Sequence, residues 1–420
     1  MDATVKGLVP SDEYVVRAFV TNGINTVYSE EKHFSTSSEE RIVIFRDVNF
    51  KALILEGYDS NDDGQISTDE ALTVTKLNLC TDNISSLEGI ECFPNLTHLT
   101  CSGSGGLTEL DLTANNRLRE LNVEGNKLKE LLLPKNDSRM EVIHCVNNRL
   151  TSLDLSGCPN LRILRCWENS LSVLDLSGNL SLEELDCAQN FFFDGLDLSH
   201  NTKLKILACN EDCLPSIDIG NNVELTEFLC CYNSIKSLDV SQNIGLKDFK
   251  CDFNQLEKID VTMLQSLEIL SIGDNPIKGP VDLSGCPQLR FYGGNNLPLP
   301  DVPDFSHNPN LDSIHICGSG GAKYIDKDFF RDWPNVRDFQ IGLYRGETID
   351  LSLNSKMEHL WMGDMSNVRI LDLSASPNLK YIDLAGDKVL EKVYVHKDVD
   401  ISRLEVRTDD EVHAEILYKP

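Results

Sequence analysis

Cysteine returns at a fixed interval in this sequence, and a recurring thiol can do chemistry. Leu161-x-x-Leu164-x-Cys166 comes back 21 residues later as Leu182-x-x-Leu185-x-Cys187. Cys101, Cys145, Cys209, Cys230 and Cys251 hold the same place in further copies. Three uses are open: a metal array, a set of disulfides, or a core slot that suits a small apolar side chain. A metal needs convergent ligands, and no Cys-x-x-Cys pair occurs. Stacked rungs of a parallel sheet lie about 4.8 Å apart with parallel Cα–Cβ vectors. That is wider than the roughly 3.5–4.5 Å between Cβ atoms of a disulfide. Val123, Ile272, Ile316, Ile341, Met362 and Leu384 fill the same slot elsewhere. A slot shared by those types is apolar, and free cysteine behaves as a small hydrophobe. The ladder reads as core packing, leaving Cys80 with Cys92 and Cys209 with Cys213 as the pairs to check for bonds.

A second set of residues is built of hard oxygens. In "YDSNDDGQISTDEA", Asp59, Asn61, Asp63, Gln65, Ser67 and Glu70 stand at positions 1, 3, 5, 7, 9 and 12 of a loop with Gly64 at its bend. That spacing fits an EF-hand calcium loop. Asp59, Asn61 and Asp63 would supply side-chain oxygens and Gln65 its backbone carbonyl. Ser67 would bind directly or through water, and Glu70 through both oxygens. "VNFKALILEGY" before the loop and "DEALTV" after it read as flanking helices.

Catalytic spacing is absent: no G-x-S-x-G, H-E-x-x-H, G-x-x-x-x-G-K or G-x-G-x-x-G occurs. An enzyme would need a carboxylate–histidine cluster around Asp338 and His359 in a closed pocket. Other polar and aromatic residues recur at positions that would face outward from one sheet. Arg165, Trp167, Glu184, Asp186, Glu227, Tyr232, Asp248, Lys250, Asp252 and Phe253 do so in one half. His315, Asp338, Gln340, His359, Trp361, Tyr381, Asp383, Tyr394 and His396 do so in the last units. Exposed Trp and Tyr are enriched at binding hot spots. Asp338 and His359 are expected as strand neighbours.

The element that must position these residues is a repeat. Copies start at Val74, Leu96, Leu118, Met140, Leu161, Leu182, Leu204, Leu225, Leu246, Leu267, Leu289, Leu311, Val336, Met357 and Leu379, at steps of 21 or 22 residues except between 311 and 336. A shortened copy, "LEKVYV", begins at Leu390. The unit is L-x-x-L-x-(C/L/I/V)-x-x-N-x-L followed by x-x-L-D-L-S-x-N-x-x. Its first half alternates like a half-buried strand, and its second half is too short and too rich in turn formers for an ordinary helix. One unit cannot bury its apolar side, but a stack can. Asn126, Asn148, Asn169, Asn190, Asn233, Asn254 and Asn275 hold position 9, where an interior amide can bond turn backbone. The Asp of each "DLS" is expected to accept from a backbone N–H two or three residues on.

The unit resembles the leucine-rich repeat, and its shortness with "LDLS" looks most like bacterial surface leucine-rich-repeat proteins, internalins among them. The resemblance implies a right-handed, β-rich horseshoe with a parallel sheet on its concave face. It also implies a small helical cap before the first unit, similar to an EF-hand. Residues 38–73 are therefore expected to form a calcium-stabilised cap, 74–402 the repeats and 403–420 closing strands. Residues 1–37 alternate on both sides of "TNGIN", a hairpin signal. Tyr14, Arg17, Ala18, Asn22, Tyr28 and Phe34 resemble the last two strands of a fibronectin type III domain. Two strands rarely stand alone, so the chain is read as cut from a longer one. "MDATVKGLVPSDEY" carries no export signal.

The net charge of −29 argues against nucleic acid and anionic membranes as partners. No apolar run reaches the length of a membrane span, and 14 cysteines in 420 residues are too few for a disulfide scaffold. The reading is a monomeric, non-enzymatic recognition module at the outside of a bacterial cell. It would take a protein or surface glycan on the concave face. The competing reading is a rigid acidic spacer or self-associating surface element.

Overall fold

The computed structural model describes residues 13–419 except 22, 36–40, 81–82, 104, 136–137, 300–301, 319–328, 343–345, 363–366 and 409–411. Sixteen short strands form one parallel sheet running from Lys76–Asn78 to Glu405–Arg407. Register never slips in the regular part: Ile143 pairs with Leu164, Leu164 with Leu185, and Phe228 with Phe249. These central residues point inward and are fully buried, while their strand neighbours face out. A one-residue slip would turn the whole apolar column to solvent, so the pattern itself fixes the register.

The seven ladder cysteines are completely buried, and all fourteen cysteines of the chain are free thiols. Neither candidate disulfide is therefore formed. Burial pushes the Cys145 thiol up to about 12, which keeps it protonated and unreactive. Gly294 interrupts this slot because the ring of buried Tyr292 fills it: a Cβ on Gly294 would lie 2.5 Å from the Tyr292 hydroxyl. Replacing Cys209 by Ser would leave a hydroxyl in an apolar slot, with an expected cost of about 1–3 kcal/mol. Cys209→Val should be milder. Urea midpoints of the two variants check the order, and a serine variant as stable as wild type would show the slot to be polar.

Asparagine amides sew the turns together. Asn169 Nδ2 donates to the carbonyls of Cys145 and Cys166, both at 3.0 Å, and its Oδ1 accepts from the N–H of Leu150 at 3.0 Å. Asn148, Asn254 and Asn275 repeat the pattern. A second ladder lies on the opposite side. There Asn179, Asn201, Asn222 and Asn243 donate to carbonyls of the preceding unit. The "DLS" aspartates accept from the N–H two residues on, as Asp154 does from Ser156 at 3.0 Å. Gly285 sits where adjacent turns touch, and a Cβ there would meet the Thr262 carbonyl oxygen at 1.8 Å.

Before the first rung lie helices α1 (Val48–Tyr58) and α2 (Thr68–Ala71). Buried Phe50, Ile54, Ile66 and Ala71 join one core with Val74 and Leu77. Asp47 caps α1 through the N–H groups of Asn49 and Phe50, and its other oxygen takes Ser85. Burial raises its carboxyl, but the bonds from Phe50, Ser85 and Asn49 outweigh it and lower the pKa. The cap is thereby tied to the repeats.

Two features differ from the sequence reading. "LEKVYV" is no rung of the concave sheet: Lys392–Val395 lies between Ile370–Leu373 and Glu415–Tyr418 in a separate three-stranded parallel sheet. Its alternation of Val393 and Val395 was indistinguishable in sequence from a concave strand. Tyr394 and His396 therefore do not belong to the concave face. In the 289–345 stretch the apolar slots hold an aromatic cluster, with Phe305 5.2 Å from Tyr292 and 5.6 Å from Trp333 between ring centres. Most of the irregular "GSGGAKYIDKDFFRDWPN" insertion lies outside the described residues.

At the N-terminus, Glu13–Val16 pairs with Lys32–Ser35 and Phe19–Thr21 with Thr26–Tyr28, both antiparallel. The two ladders are one residue out of phase, so Arg17 and Ala18 face Ser29–Glu31 across a bulge. Phe19, Val20, Ile24, Val27 and Tyr28 are exposed. Asn22 lies outside the described residues.

Candidate functional site

The outward positions of the sheet form two rows in the last units. Along one run Ser313, Asp338, His359 and Tyr381; along the other, His315, Gln340, Trp361 and Asp383. All are at least half-buried. Asp338 and His359 are register partners, as expected. The close histidine contact of Asp338 is a different one: His315 Nε2 lies 3.5 Å from Asp338 Oδ1 and 3.1 Å from Ser313 Oγ. A Ser–His–Asp relay needs the two ring nitrogens for two different partners. Here one nitrogen faces both, so the cluster has the geometry of a surface network. Phe291 packs edge-on against His315 at 4.7 Å.

Asp383, outward-facing by strand alternation, is completely buried. Tyr381 Oη and Arg407 Nη1 each donate to its Oδ2 at 3.3 Å, and the Ala385 N–H donates to Oδ1 at 3.0 Å. The added strand Glu405–Arg407 brings the covering arginine. Trp361 therefore stands between Gln340 and a carboxylate already paired with Arg407 and Tyr381.

The other half of the face is arranged differently. Trp167 is half-buried and stands three rungs from Tyr232, roughly 14 Å at the usual rung spacing. Tyr232 and Phe253 come together: their rings stack at 4.2 Å and 9°. Both are exposed, by 53% and 42%. Around them the face is acidic. Burial pushes Asp186 up, helped by the like charges of Glu184 and Glu227 and opposed by the Ala188 N–H and Arg165. Burial also raises Asp252, against bonds from Ser271, Cys231 and Gly273.

Two features escaped the sequence reading. Asn147, Glu168, Gln189, Glu211, Tyr232, Phe253, Asp274 and Asn296 all have φ between 50° and 58°. They fill position 8 of eight successive units. Their N–H groups extend the sheet ladder, as Tyr232 N–H does to the Asp252 carbonyl at 2.9 Å. The signal was the run of Gly103, Gly125 and Asn147 in the same column. The other is Asp212, which takes position 9 in the asparagine column. It is completely buried, with its Oδ1 accepting from Asn190 N–H at 2.8 Å. Burial pushes its carboxyl up to about 8.

In the cap loop, one N–H, that of Asp63, bonds both Asp59 Oδ1 (3.2 Å) and Asn61 Oδ1 (2.9 Å), so these oxygens converge. Asp59 Oδ2 accepts from Gly64, whose φ of 78° makes the bend. Glu70 stands in the capping box of α2. Its Oε2 takes Ser67 N–H and hydroxyl, and its Oε1 takes Ser60 N–H and hydroxyl. The Ser67 and Ser60 bonds hold it down to about 2. Among the described residues no three His, Cys, Asp or Glu side chains are gathered closely enough to hold a metal. The oxygen donor set and the bend fit calcium; Glu70 would have to turn out of its capping bonds to complete the set. Ile66 of the loop pairs with the chain before α1, through Val43 N–H to Ile66 carbonyl at 2.7 Å and the Ile42–Ser67 bridge.

No protein-family model matches this sequence, and no curated protein does. Solved structures do. The functional domain of InlJ from Listeria monocytogenes, described as including a cysteine ladder, superposes with a TM-score of 0.70 at 26% identity over 84% of this chain and 82% of that one. The Listeria monocytogenes internalin InlF gives 0.53 at 20% identity over 77% and 96%. A leucine-rich-repeat protein of Leptospira interrogans gives 0.53 at 20% identity over 70% and 91%. The chain is a leucine-rich-repeat β-solenoid whose structural neighbours include internalins and other bacterial leucine-rich-repeat proteins.

Proposed function

We propose that this protein is a non-enzymatic recognition module, working outside a bacterial cell and binding a protein ligand on its concave face. The observation that carries the reading is the sixteen-stranded parallel sheet itself. Its inner face is an uninterrupted core, and its outer face sets Trp361, His359, Gln340 and Tyr381 side by side. A long curved surface of this kind suits an extended partner. A surface glycan on the same aromatic residues is the second ligand class, because Trp and Tyr rings also stack on sugars. The calcium loop belongs to this reading as a stabiliser of the cap, remote from the ligand.

The test is a parallel protein pull-down and glycan-array screen with wild type and a Trp361→Ala/His359→Ala variant, both checked by circular dichroism. The expected result is a partner bound by wild type and weakened at least about tenfold in the variant, the loss of one hot spot. A partner retained equally by both would remove the C-terminal rows from the site. No partner in either screen would favour the rigid-spacer reading.

A further inference from the structure

We propose that the stacked Tyr232–Phe253 pair is a docking platform for basic side chains, arginine above all, of a protein partner. The proposal rests on the recognition reading of the concave face and gives it a ligand chemistry. Backbone geometry marks the pair first. Tyr232 and Phe253 have φ of 56° and 53°, a region that Gly, Asn and Asp enter readily and bulky side chains do not. The same column holds Asn147, Asp274 and Asn296 beside Glu168, Gln189 and Glu211, so the repeat offers a relaxed choice at this position, and Tyr232 and Phe253 are its aromatic members. Two adjacent aromatics in the unfavourable backbone, both turned to solvent, serve no core. Local strain of this kind gathers at binding sites.

Charge then names the occupant. The rings are neighbours along the ladder, so each covers one face of the other. The outer face of Tyr232 looks toward the rung of Glu211, and that of Phe253 toward the rung of Asp274. Glu227, Asp248 and Asp252 stand on the same two strands and turns, with Glu184 and Asp186 two rungs away. At positions 3, 5, 7 and 8 of the units between Glu184 and Asp274, Lys250 is the one cation, and Asp248 holds it at 3.0 Å; Lys205 and Lys247, at position 2 beside the strands, pair with Glu183 and Glu268. A ring face carries negative potential and attracts a guanidinium laid across it. A carboxylate beside that face strengthens the attraction. Neutral sugars gain nothing from the carboxylate rim, whereas a basic segment pairs with it.

The experiment measures binding of a fluorescent Arg-Gly-Ser repeat peptide, its citrulline counterpart and a neutral cello-oligosaccharide. Four proteins are compared: wild type, Tyr232→Asn/Phe253→Asn, Glu211→Gln/Asp274→Asn, and a control with equal charge change outside the concave sheet, Glu109→Gln/Glu130→Gln, on the two-stranded parallel sheet of Glu109–Asp111 and Glu130–Leu132. Wild type should bind the arginine peptide and not the citrulline one. The aromatic variant should lose about tenfold in affinity at unchanged net charge. Its melting midpoint should hold or rise, because asparagine is at home in this backbone. The Glu211/Asp274 variant should weaken binding more than the control. Unchanged peptide binding by the aromatic variant, or equal weakening by the control, overturns the proposal in favour of diffuse acidic attraction. The recognition reading then survives if the Trp361/His359 rows still hold a partner. Oligosaccharide binding lost with the two rings would overturn it in favour of a sugar platform.

Discussion

Asp212→Asn is expected to stabilise the solenoid by several kcal/mol at pH 8 and by almost nothing at pH 4. Asp212 is fully buried in the column otherwise held by asparagines, and among the described residues its one close backbone donor is Asn190 N–H. Cys187 Sγ approaches its other oxygen at 3.7 Å, a weak contact. Its folded pKa is raised to about 8, against about 3.9 in an unfolded chain. Between those values the folded protein holds a proton that the unfolded chain has released. Unfolding free energy therefore falls as pH rises through this window, at up to about 1.4 kcal/mol per unit. The contribution is complete below about pH 4 and has been lost above about pH 8, roughly 4–6 kcal/mol in total. Asparagine cannot titrate, and its amide oxygen can keep the bond to Asn190. Urea midpoints of wild type and variant from pH 4 to 8 give the measurement. The difference between the two isolates Asp212 from Asp186, Asp252 and the histidines. A difference that stays flat across the range would show that the carboxyl is ionised in the folded state.

The same residue shows where sequence reading stops. Asparagines at 126, 148, 169, 190, 233, 254 and 275 were visible as a column because the spacing is 21 or 22 and the residue type repeats. Asp212 stands in the same column, but it reads as another acid in an acidic chain. Only burial separates it from the exposed "DLS" aspartates. The core ladders were legible because stacking forces one apolar pattern on every unit. The outer face carries no such constraint. Its aromatic and charged residues could be assigned to a side by alternation, but not to a neighbour. Tyr232 with Phe253 required ring geometry, and the left-handed column was hidden by the variety of its side chains. Asp383 was misplaced because the arginine that buries it arrives from Glu405–Arg407, a strand whose sequence departs from the repeat. "LEKVYV" failed for the opposite reason: its alternation is real, but a strand in the second sheet alternates identically.

Calcium is expected to raise the stability of the N-terminal end by about 2–3 kcal/mol when present at a hundredfold excess over its dissociation constant. The loop brings Asp59 and Asn61 oxygens to one N–H and places Asp63 beside them. Asp59 accepts from the N–H groups of Asp63 and Gly64, and Asp63 from Gln65 N–H and the Asn61 amide. Glu70 is the balance point. Its two oxygens already accept from Ser60 and Ser67, so a metal that takes Glu70 must exceed those bonds. Its lowered pKa sets a further sign. Stability from the Glu70 bonds is present above its unfolded pKa near 4.5 and is lost as pH falls toward about 2. Chelation should therefore act at neutral pH, where the carboxylate is intact. The effect should be local, because Phe50, Ile54, Ile66 and Ala71 cover the first rungs and repeat stacks couple through neighbours. Hydrogen exchange with calcium or chelator is the direct readout. Protection should fall over residues 43–100 and stay level over 161–272. Asp63→Asn keeps an acceptor for Gln65 N–H but removes a charge, so it should weaken the calcium response while leaving the chelated protein unchanged. Equal exchange in calcium and chelator, for wild type and variant alike, would make the loop a metal-independent cap, held by the Glu70 capping box and the Ile66–Val43 bond.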